Sequence, residues 1–565
     1  MKKVLVGFSL LLAVLASSWS LLHPSFFRVH DYVHGARIGE MLLALQEGQF
    51  PVRWSANFGY GYGMPLYEFY APLPYYVGAF WHWLGFDLVA SIKLLYLMTA
   101  VGTALGAYKL GARMFGRSGG IFTAFCLTLA PYRAVNLFVR GALSESWAIM
   151  AMPWILLGIL QIYRKEKTGF ITLTLSLITL FLSHNVSTLI FLPFSLAFAV
   201  AIWFWERNKQ LSIGRAIAQV GGAYLLALGS AAFYLLPSFA EKSFTQIDKI
   251  LTGYFHYSQH FLYIRQFFSA NWKYGGSSWG PQDDISFFLG AGQIIALIVL
   301  AVLLLRRAKT LSPKQFLRSR NGFYAVLLAL LGLSLFMTLL KSQPIWDHIP
   351  LLHFVQFPWR YLSVAAVFIA LLAGASVTLI THKMVRYLYV LLLGGVLLIG
   401  NTFFFRPESY LENTDSFYYS SPERIRSEMS SILPDYIPIQ MASELTPPTE
   451  KYLVPGGTES KVEVLVDRGH QKLFRTTFTS PATFDLMVAD FPGWQVELDG
   501  KTPLVKRLGQ HGTIAADVPA GEHLLGFEFG STPIRSLADT ISAISGVILL
   551  GYVIFHHTES KQNNV

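Results

Sequence analysis

A single cysteine, Cys126, stands in a chain of 565 residues. That excludes an intramolecular disulfide and any site built from cysteine ligands. Its apolar surroundings read as a buried small side chain. Charge is also scarce: 14% of residues are Asp, Glu, Lys or Arg, where soluble domains carry about 25%. There is no phosphate-binding GxxxxGK[ST] loop, no HExxH, and no GxSxG in a strand–turn–helix setting. The GYGYG run at 59–63 follows no predicted strand and opens no helix, so it reads as a turn-rich loop and not a nucleotide site. An ATP-driven transporter is not expected from this chain. No internal repeat or low-complexity tract is evident.

Apolar residues are what the chain has in quantity: 53% of the total, with a mean hydropathy of +0.45. The fold class expected is an α-helical polytopic membrane protein. Segments near the ~20 residues needed to cross a bilayer fall at 3–22, 89–111, 118–134, 144–163, 168–184, 187–206, 214–238, 285–306, 321–340, 361–381, 386–405 and 537–556. The expectation is therefore about twelve transmembrane helices, within a range of eleven to thirteen. Residues 72–86 are apolar but short and carry two prolines, and they read as an interfacial or re-entrant piece.

Charge supports that choice. With the N-terminus inside, the inner loops hold 19 basic residues against Glu166 and Glu206, as the positive-inside rule requires. The net charge of +11 is then a topology signal and no sign of nucleic-acid binding. The first span reads as an uncleaved anchor, with ASSWS as a weak alternative cleavage site. The protein is expected in the cell membrane with both termini cytoplasmic.

Three regions follow. Residues 1–405 form the transmembrane domain, with outer loops at 23–88 and 239–284. Residues 406–536 form an extracytoplasmic, mainly β domain, read as a sandwich from the period-two runs KVEVLVD, TFDLMVAD and WQVELDG and from the Asp499-Gly500 hairpin signal. Residues 537–565 are a last span and a short tail.

Ionisable groups near a bilayer are costly and usually functional. Asp31, flanked by His30 and His34, precedes a helical pattern. Spacing alone fits either a helix N-cap or a general base or metal ligand. His34, three residues on, shares a helical face with it. Glu145, after Arg140, opens the fourth span, where capping by Ser144 or Ser146 is the plain alternative. A carboxylate pair of Asp31 and Glu145 would suit a divalent cation or divided acid and base roles. His184 and Asn185 lie at the hinge between two spans, where hinge polarity also explains them. Gln356 and Arg360 lead into the tenth span, and an arginine fork there suits a phosphate, although snorkelling is the alternative. Arg265, among aromatics of the 239–284 loop, suits a sugar or phosphate, or an interfacial belt.

The pattern HD..H..R followed by G.FP.RW..N.G.GYG.PL..FY.PL.YY resembles the 6-pyruvoyl-tetrahydropterin synthase-related membrane domain family. The stretches RGALSE at 140–145, LSHN at 182–185 and QFPWRYL at 356–362 support the resemblance. The C-terminal FPGWQVELDGK and PAGEHLLGFEF resemble the tail of YfhO-like proteins. Despite the family's name, no pterin chemistry is expected. The resemblance implies a GT-C-like fold and a membrane glycosyltransferase. Such an enzyme takes a sugar from a polyprenyl-phosphate or diphosphate carrier and passes it, outside the membrane, to a cell-surface glycan, lipid or protein. Asp31 then matches the acidic catalytic residue of the first outer loop, and Glu145 the second acidic position. His34, Arg140, His184, Asn185, Arg265, Gln356 and Arg360 are the expected substrate-binding set. The carry-over allows a divalent cation, magnesium or manganese, on Asp31 and Glu145, although the fuller acid pairs of some relatives are absent here. The other classes weighed are a lipid-linked sugar flippase or transporter and a non-catalytic cell-envelope assembly protein.

Overall fold

The computed structural model describes residues 2–205, 211–412, 419–432, 434–442, 445–455, 460–500 and 502–562. The basic loop around Glu206, Arg207 and Lys209 lies outside the described residues. Among the described residues, eight helices are long and apolar enough to cross a membrane, or nine when Ile213–Ser230 and Ala232–Ala240, bent by 71°, are taken as one span. Two more apolar segments form shorter helices, Gly169–Phe181 and Arg320–Phe336.

The 41-residue helical run Leu88–Thr128 is two arms. It breaks at Gly116, with φ 74° and ψ 178°, and the arms fold back on each other. A Cβ on Gly120 would meet Ala112 at 2.7 Å, and one on Gly111 would meet Thr123 at 2.4 Å. The segments expected at 89–111 and 118–134 are therefore antiparallel neighbours joined by a tight turn. Residues Leu73–Trp83 form an 11-residue helix that packs on the helix His34–Gln46. At 1.5 Å per residue it is far shorter than a bilayer.

Burial separates central from peripheral helices. The spans Pro358–Leu379 and Leu143–Tyr163 are 94% and 89% buried by the rest of the chain, whereas Lys383–Thr402 and Pro533–Phe555 are 17% and 11% buried. The last two therefore present their apolar surface to lipid. The two central helices begin at the same end of the bundle, and their first turns carry Arg360 and Glu145. At the other end the basic residues collect: Arg113 Nε lies 3.1 Å from Glu166 Oε2, and Arg164 donates to the Arg113 carbonyl.

The first loop is built around Glu40, which is buried. Its carboxylate accepts from Ser55 Oγ at 2.7 Å and from the Asn57 side chain at 2.6 Å. The glycine-rich run is a compact turn, as its sequence implies. Gly63 takes φ 78° and lies so close to Trp54 that a Cβ would sit 2.6 Å from the indole nitrogen, so only glycine fits. Trp54 in turn packs on Phe491, Trp494 and Phe529. Loop and C-terminal domain thus share one core.

Among the described residues, nine strands make two antiparallel sheets: β1 (Tyr452–Leu453), β2 (Ser460–Arg468), β3 (Gln471–Phe478), β4 (Ala482–Ala489), β5 (Trp494–Leu498), β6 (Thr502–Pro503), β7 (Arg507–Leu508), β8 (Thr513–Val518) and β9 (Gly521–Phe529). Their orders are β1-β4-β8-β7 and β2-β3-β9-β5-β6. Phe474 and Phe527 of one sheet meet Phe484 of the other, with ring centroids 5.0 and 5.9 Å apart, as in a sandwich core. Asp499 and Gly500 both take positive φ between β5 and β6.

The β region is narrower than the 406–536 expected. Among the described residues of 406–442 there is no strand; they make short helical turns, including Pro422–Arg426, Met429–Ser431 and Pro434–Tyr436. These turns pack over the first loop: Arg426 Nε donates to Asn57 Oδ1 at 2.9 Å, and the Tyr60 N–H donates to Ser430 Oγ at 3.1 Å. Segments that pack on a neighbour's surface need no periodic pattern of their own, and none is visible here.

Candidate functional site

Three connections converge at the end of the bundle that carries the β domain. After the hairpin, Pro131–Ala134 continues into a π-helical turn, Val135–Arg140, closed by Gly141 in the left-handed region at φ 68°. A Cβ on Gly141 would meet Val29 at 2.7 Å and the Asp31 carbonyl at 2.9 Å. The missing side chain lets the first loop lie against this turn, with the Asp31 N–H donating to the Arg140 carbonyl at 2.9 Å. π-turns often mark functional positions, and this one delivers Arg140.

Asp31 is not a helix cap. The residue before the helix His34–Gln46 is Val33, and no side chain caps that end. Instead Asp31 Oδ2 faces Arg37 at 3.7 Å and His34 at 3.4 Å. Asp31 Oδ1 is buried without a hydrogen-bond partner. His34 is itself buried and positions the loop: one ring nitrogen meets the Tyr75 hydroxyl at 2.9 Å and the other the Gly141 carbonyl. Burial pulls the His34 pKa down, against the attraction of Asp31. A neutral ring that accepts from Tyr75 and donates to Gly141 satisfies both contacts. Arg37 stacks over the Tyr70 ring at 4.2 Å and donates to Tyr75 at 3.3 Å.

Glu145 is 1% exposed and surrounded by donors. Oε2 accepts from Arg140 at 2.6 Å and lies 3.9 Å from Arg360 Nε; Oε1 accepts from Tyr132 at 2.6 Å and Asn136 at 3.3 Å. Both oxygens are thus committed, and Glu145 offers a divalent cation no free one. Among the described residues no group of three or more His, Cys, Asp and Glu side chains converges as a metal site. The donor set does not fit the Asp31–Glu145 metal pair expected from sequence, because arginines already occupy the place of its positive charge.

Arg360 enters from the other central helix. Its Nη1 donates to the Val355 carbonyl at 2.9 Å and to Gln356 Oε1 at 3.3 Å, while its Nε has no hydrogen-bond partner. Gln356 sits at φ 60° and ψ −49°, with the Phe357 N–H bonded to the Val355 carbonyl at 2.6 Å. This is the γ-turn with positive φ, which is rare and strained. Strain of this kind clusters at functional positions.

A cavity of about 190 Å³ joins these groups. Its lining includes Asp31, Tyr70, His184, Asn185, Gln356, Arg360 and Asp435. The Ser144 and Ser183 hydroxyls, on the same lining, also lack partners. Burial depresses the His184 imidazole to about 3, against the attraction of Glu145, so His184 is neutral here. Arg37, Arg140 and Arg360 stand around this space with Asp31, Glu145 and Asp435, and positive charge exceeds negative while buried Asp435 holds its proton. Such a site suits an oxyanion.

Arg265 lies elsewhere, exposed in the turn Ile264–Phe268, and does not line the cavity. Sequence reasoning missed Asp435. It comes from the turn Pro434–Tyr436, which carries no periodicity or motif. It also missed Tyr132 and Asn136, whose only signal is their proximity in sequence to Glu145. Arg37 stood in the HD..H..R pattern without an assigned role. A wider cleft of about 720 Å³ runs between Tyr62, Thr449, Glu450 and His511, without a comparable convergence of charged groups.

The family model described as 6-pyruvoyl-tetrahydropterin synthase related domain, a membrane protein, matches residues 67–407. An uncharacterized protein of Lactococcus lactis subsp. cremoris (strain MG1363) is 21% identical over 288 residues, 49% of this chain and 45% of the relative. The chain thus spans less than half the length of that relative. Arabinofuranosyltransferase AftD from Mycobacteria superposes with a TM-score of 0.45 at 12% identity, over 74% of this chain and 28% of AftD. The Archaeoglobus fulgidus oligosaccharyltransferase tethered to an acceptor peptide superposes with a TM-score of 0.41 at 13% identity, over 72% of this chain and 55% of that one. Neither superposition assigns a role to a residue of this chain.

Proposed function

The chain belongs to the 6-pyruvoyl-tetrahydropterin synthase related family of membrane proteins, and from that premise we propose that it is a membrane glycosyltransferase. It moves a sugar from a polyprenyl-phosphate or diphosphate carrier to a cell-surface glycan, lipid or protein on the extracytoplasmic face. The observation that carries this reading is one cavity lined by Asp31 and Arg360, each with a buried polar atom that has no hydrogen-bond partner. Asp31 supplies a carboxylate oxygen, and Arg360 supplies a guanidinium N–H.

The chemistry follows from that pairing. The acceptor hydroxyl gives its proton to Asp31 as its oxygen bonds to the anomeric carbon. The bond from that carbon to the carrier phosphate breaks, and the electron pair leaves with the phosphate oxygen. Arg360 and Arg140 stand where that negative charge grows; donors already in place stabilise a transition state without reorganising. General-base help is worth roughly 10²–10⁴-fold. We assign the counter-charge to these arginines and not to magnesium or manganese. The carrier's own phosphate is the leaving group, so no nucleotide is required outside the cell.

The placement of basic residues at the opposite end of the bundle supports a cytoplasmic location for that end. Both termini are then cytoplasmic and the cavity opens on the outer side of the cell membrane. Exposed Phe80 and Trp83, on the helix Leu73–Trp83 that follows the cavity-lining Ala71, offer apolar surface to the lipid tail of the carrier.

The test is genetic. Deletion should remove a sugar from the cell surface, wild type should restore it, and Asp31→Asn should not, at equal membrane abundance. Full restoration by Asp31→Asn would contradict the assignment of the base.

A further inference from the structure

Asp435 has no part in the mechanism above, yet it lines the same cavity as Asp31 and Arg360. The turn Pro434–Tyr436 holds it there. Tyr436 stacks on Phe69 at 5.7 Å and meets Tyr70 at 6.4 Å, and both of those residues also line the cavity. We propose that Asp435 is a second catalytic carboxyl of the site, giving a proton to the phosphate oxygen that leaves the sugar while Asp31 takes the proton of the acceptor hydroxyl. The assignment rests on the transferase reading.

The two carboxyls live in different surroundings. Asp31 is 24% exposed and faces the Arg37 guanidinium at 3.7 Å. Asp435 is buried and forms no ion pair among the described residues. Asp31, Arg37 and Tyr70 face it from the first loop, His184 from the 182–185 turn, and Arg360 from the central helix. Behind it packs the turn Ile247–Leu251, whose Asp248 and Lys249 are exposed. Burial pushes the Asp435 carboxyl up to about 7, and the charge of Arg37 opposes the rise. A buried carboxyl that favours its acid form, on the same cavity as one that faces a guanidinium, is the arrangement that divides acid from base. The match to the leaving group is close, since a phosphate monoester loses its second proton with a pKa of about 6, and proton transfer is most effective between groups of similar affinity.

The atoms balance. One C–O bond forms from the acceptor oxygen to the anomeric carbon, and one breaks between that carbon and the phosphate oxygen. One proton reaches Asp31 from the acceptor, and one leaves Asp435 for the phosphate. Between turnovers Asp31 releases its proton to water and Asp435 takes one up, so nothing else is consumed.

The experiment uses the full chain in lipid vesicles with a series of polyprenyl-phosphoryl hexoses as probes, and reads release of polyprenyl monophosphate against pH. Asp435 must carry its proton, so wild-type release should fall as pH rises through about 7. Asp435→Asn should be at least about tenfold slower on the acid side and should lack that fall. Asp435→Glu should recover part of the rate and the fall with it. A wild-type rate and profile in Asp435→Asn would overturn the proposal. So would a slow Asp435→Asn that keeps the wild-type pH profile, because a merely structural residue would behave that way. Release by wild type with either of those results leaves the transferase reading standing. No release by folded wild type overturns that reading and this one together.

Discussion

Two buried networks in this protein mix arginine with carboxylate in opposite proportions. Around Glu145, one carboxylate meets two arginines, Arg140 at 2.6 Å and Arg360 at 3.9 Å. Around Arg535, one arginine meets two carboxylates, Glu68 at 2.9 Å and Glu241 at 2.7 Å. The second network is closed by ion pairs within the chain, although Glu68 Oε2 makes no hydrogen bond. Burial and the adjoining Glu241 push the Glu68 carboxyl up, and Thr532 completes the shell of Glu241 at 2.6 Å. It ties the last helix to the segment that presents Phe69 and Tyr70 to the cavity. The first network is open: Arg360 Nε remains without a hydrogen-bond partner beside a cavity. Burial thus serves two ends. An excess of acid around one arginine holds the chain together, and an excess of cation beside a cavity suits an anion.

That contrast can be broken by substitution. The largest effect belongs to the group that does chemistry: Asp31→Asn should cut transfer by roughly 10²–10⁴-fold without lowering the yield of folded protein, measured as sugar transferred by purified enzyme. Next comes the closed network. Arg535→Gln removes the cation that pairs with two buried acids and should cost about 3–5 kcal/mol of stability, read as a lowered midpoint of unfolding in detergent micelles. Arg360→Gln should leave the midpoint nearly unchanged and weaken binding of polyprenyl phosphate, a loss of about 1.5–3 kcal/mol or roughly ten- to a hundredfold. A large fall in stability there would show that the first network is structural too. The smallest effect is expected at exposed Arg265, where Arg265→Ala should change stability by less than ~0.5 kcal/mol and leave binding as it was.

Legibility in the sequence followed the same division. Asp31, Glu145 and Arg360 were visible because each stands at the end of an apolar run, where a charge needs a reason. The spans were visible from length, although the turn at Gly116 and the 13-residue helix Gly169–Phe181 needed the structure. The strands were visible from alternation, as in β5, whose Trp494 and Val496 point inward. The segment 406–442 was not, because its residues pack on a surface made by other segments. Asp435 reaches the cavity from 404 residues beyond Asp31, and no local pattern can report a meeting at that distance. Arg535 was hidden for the same reason, as a lone arginine at a span end that reads like an interfacial anchor.

The central claim is that the open network holds the phosphate of a lipid-linked sugar. Its most direct test is equilibrium binding of polyprenyl phosphate to the purified full chain and to Arg360→Gln, both confirmed as folded. The account predicts binding by wild type and at least about tenfold weaker binding by the variant. Equal binding by the two proteins would contradict it.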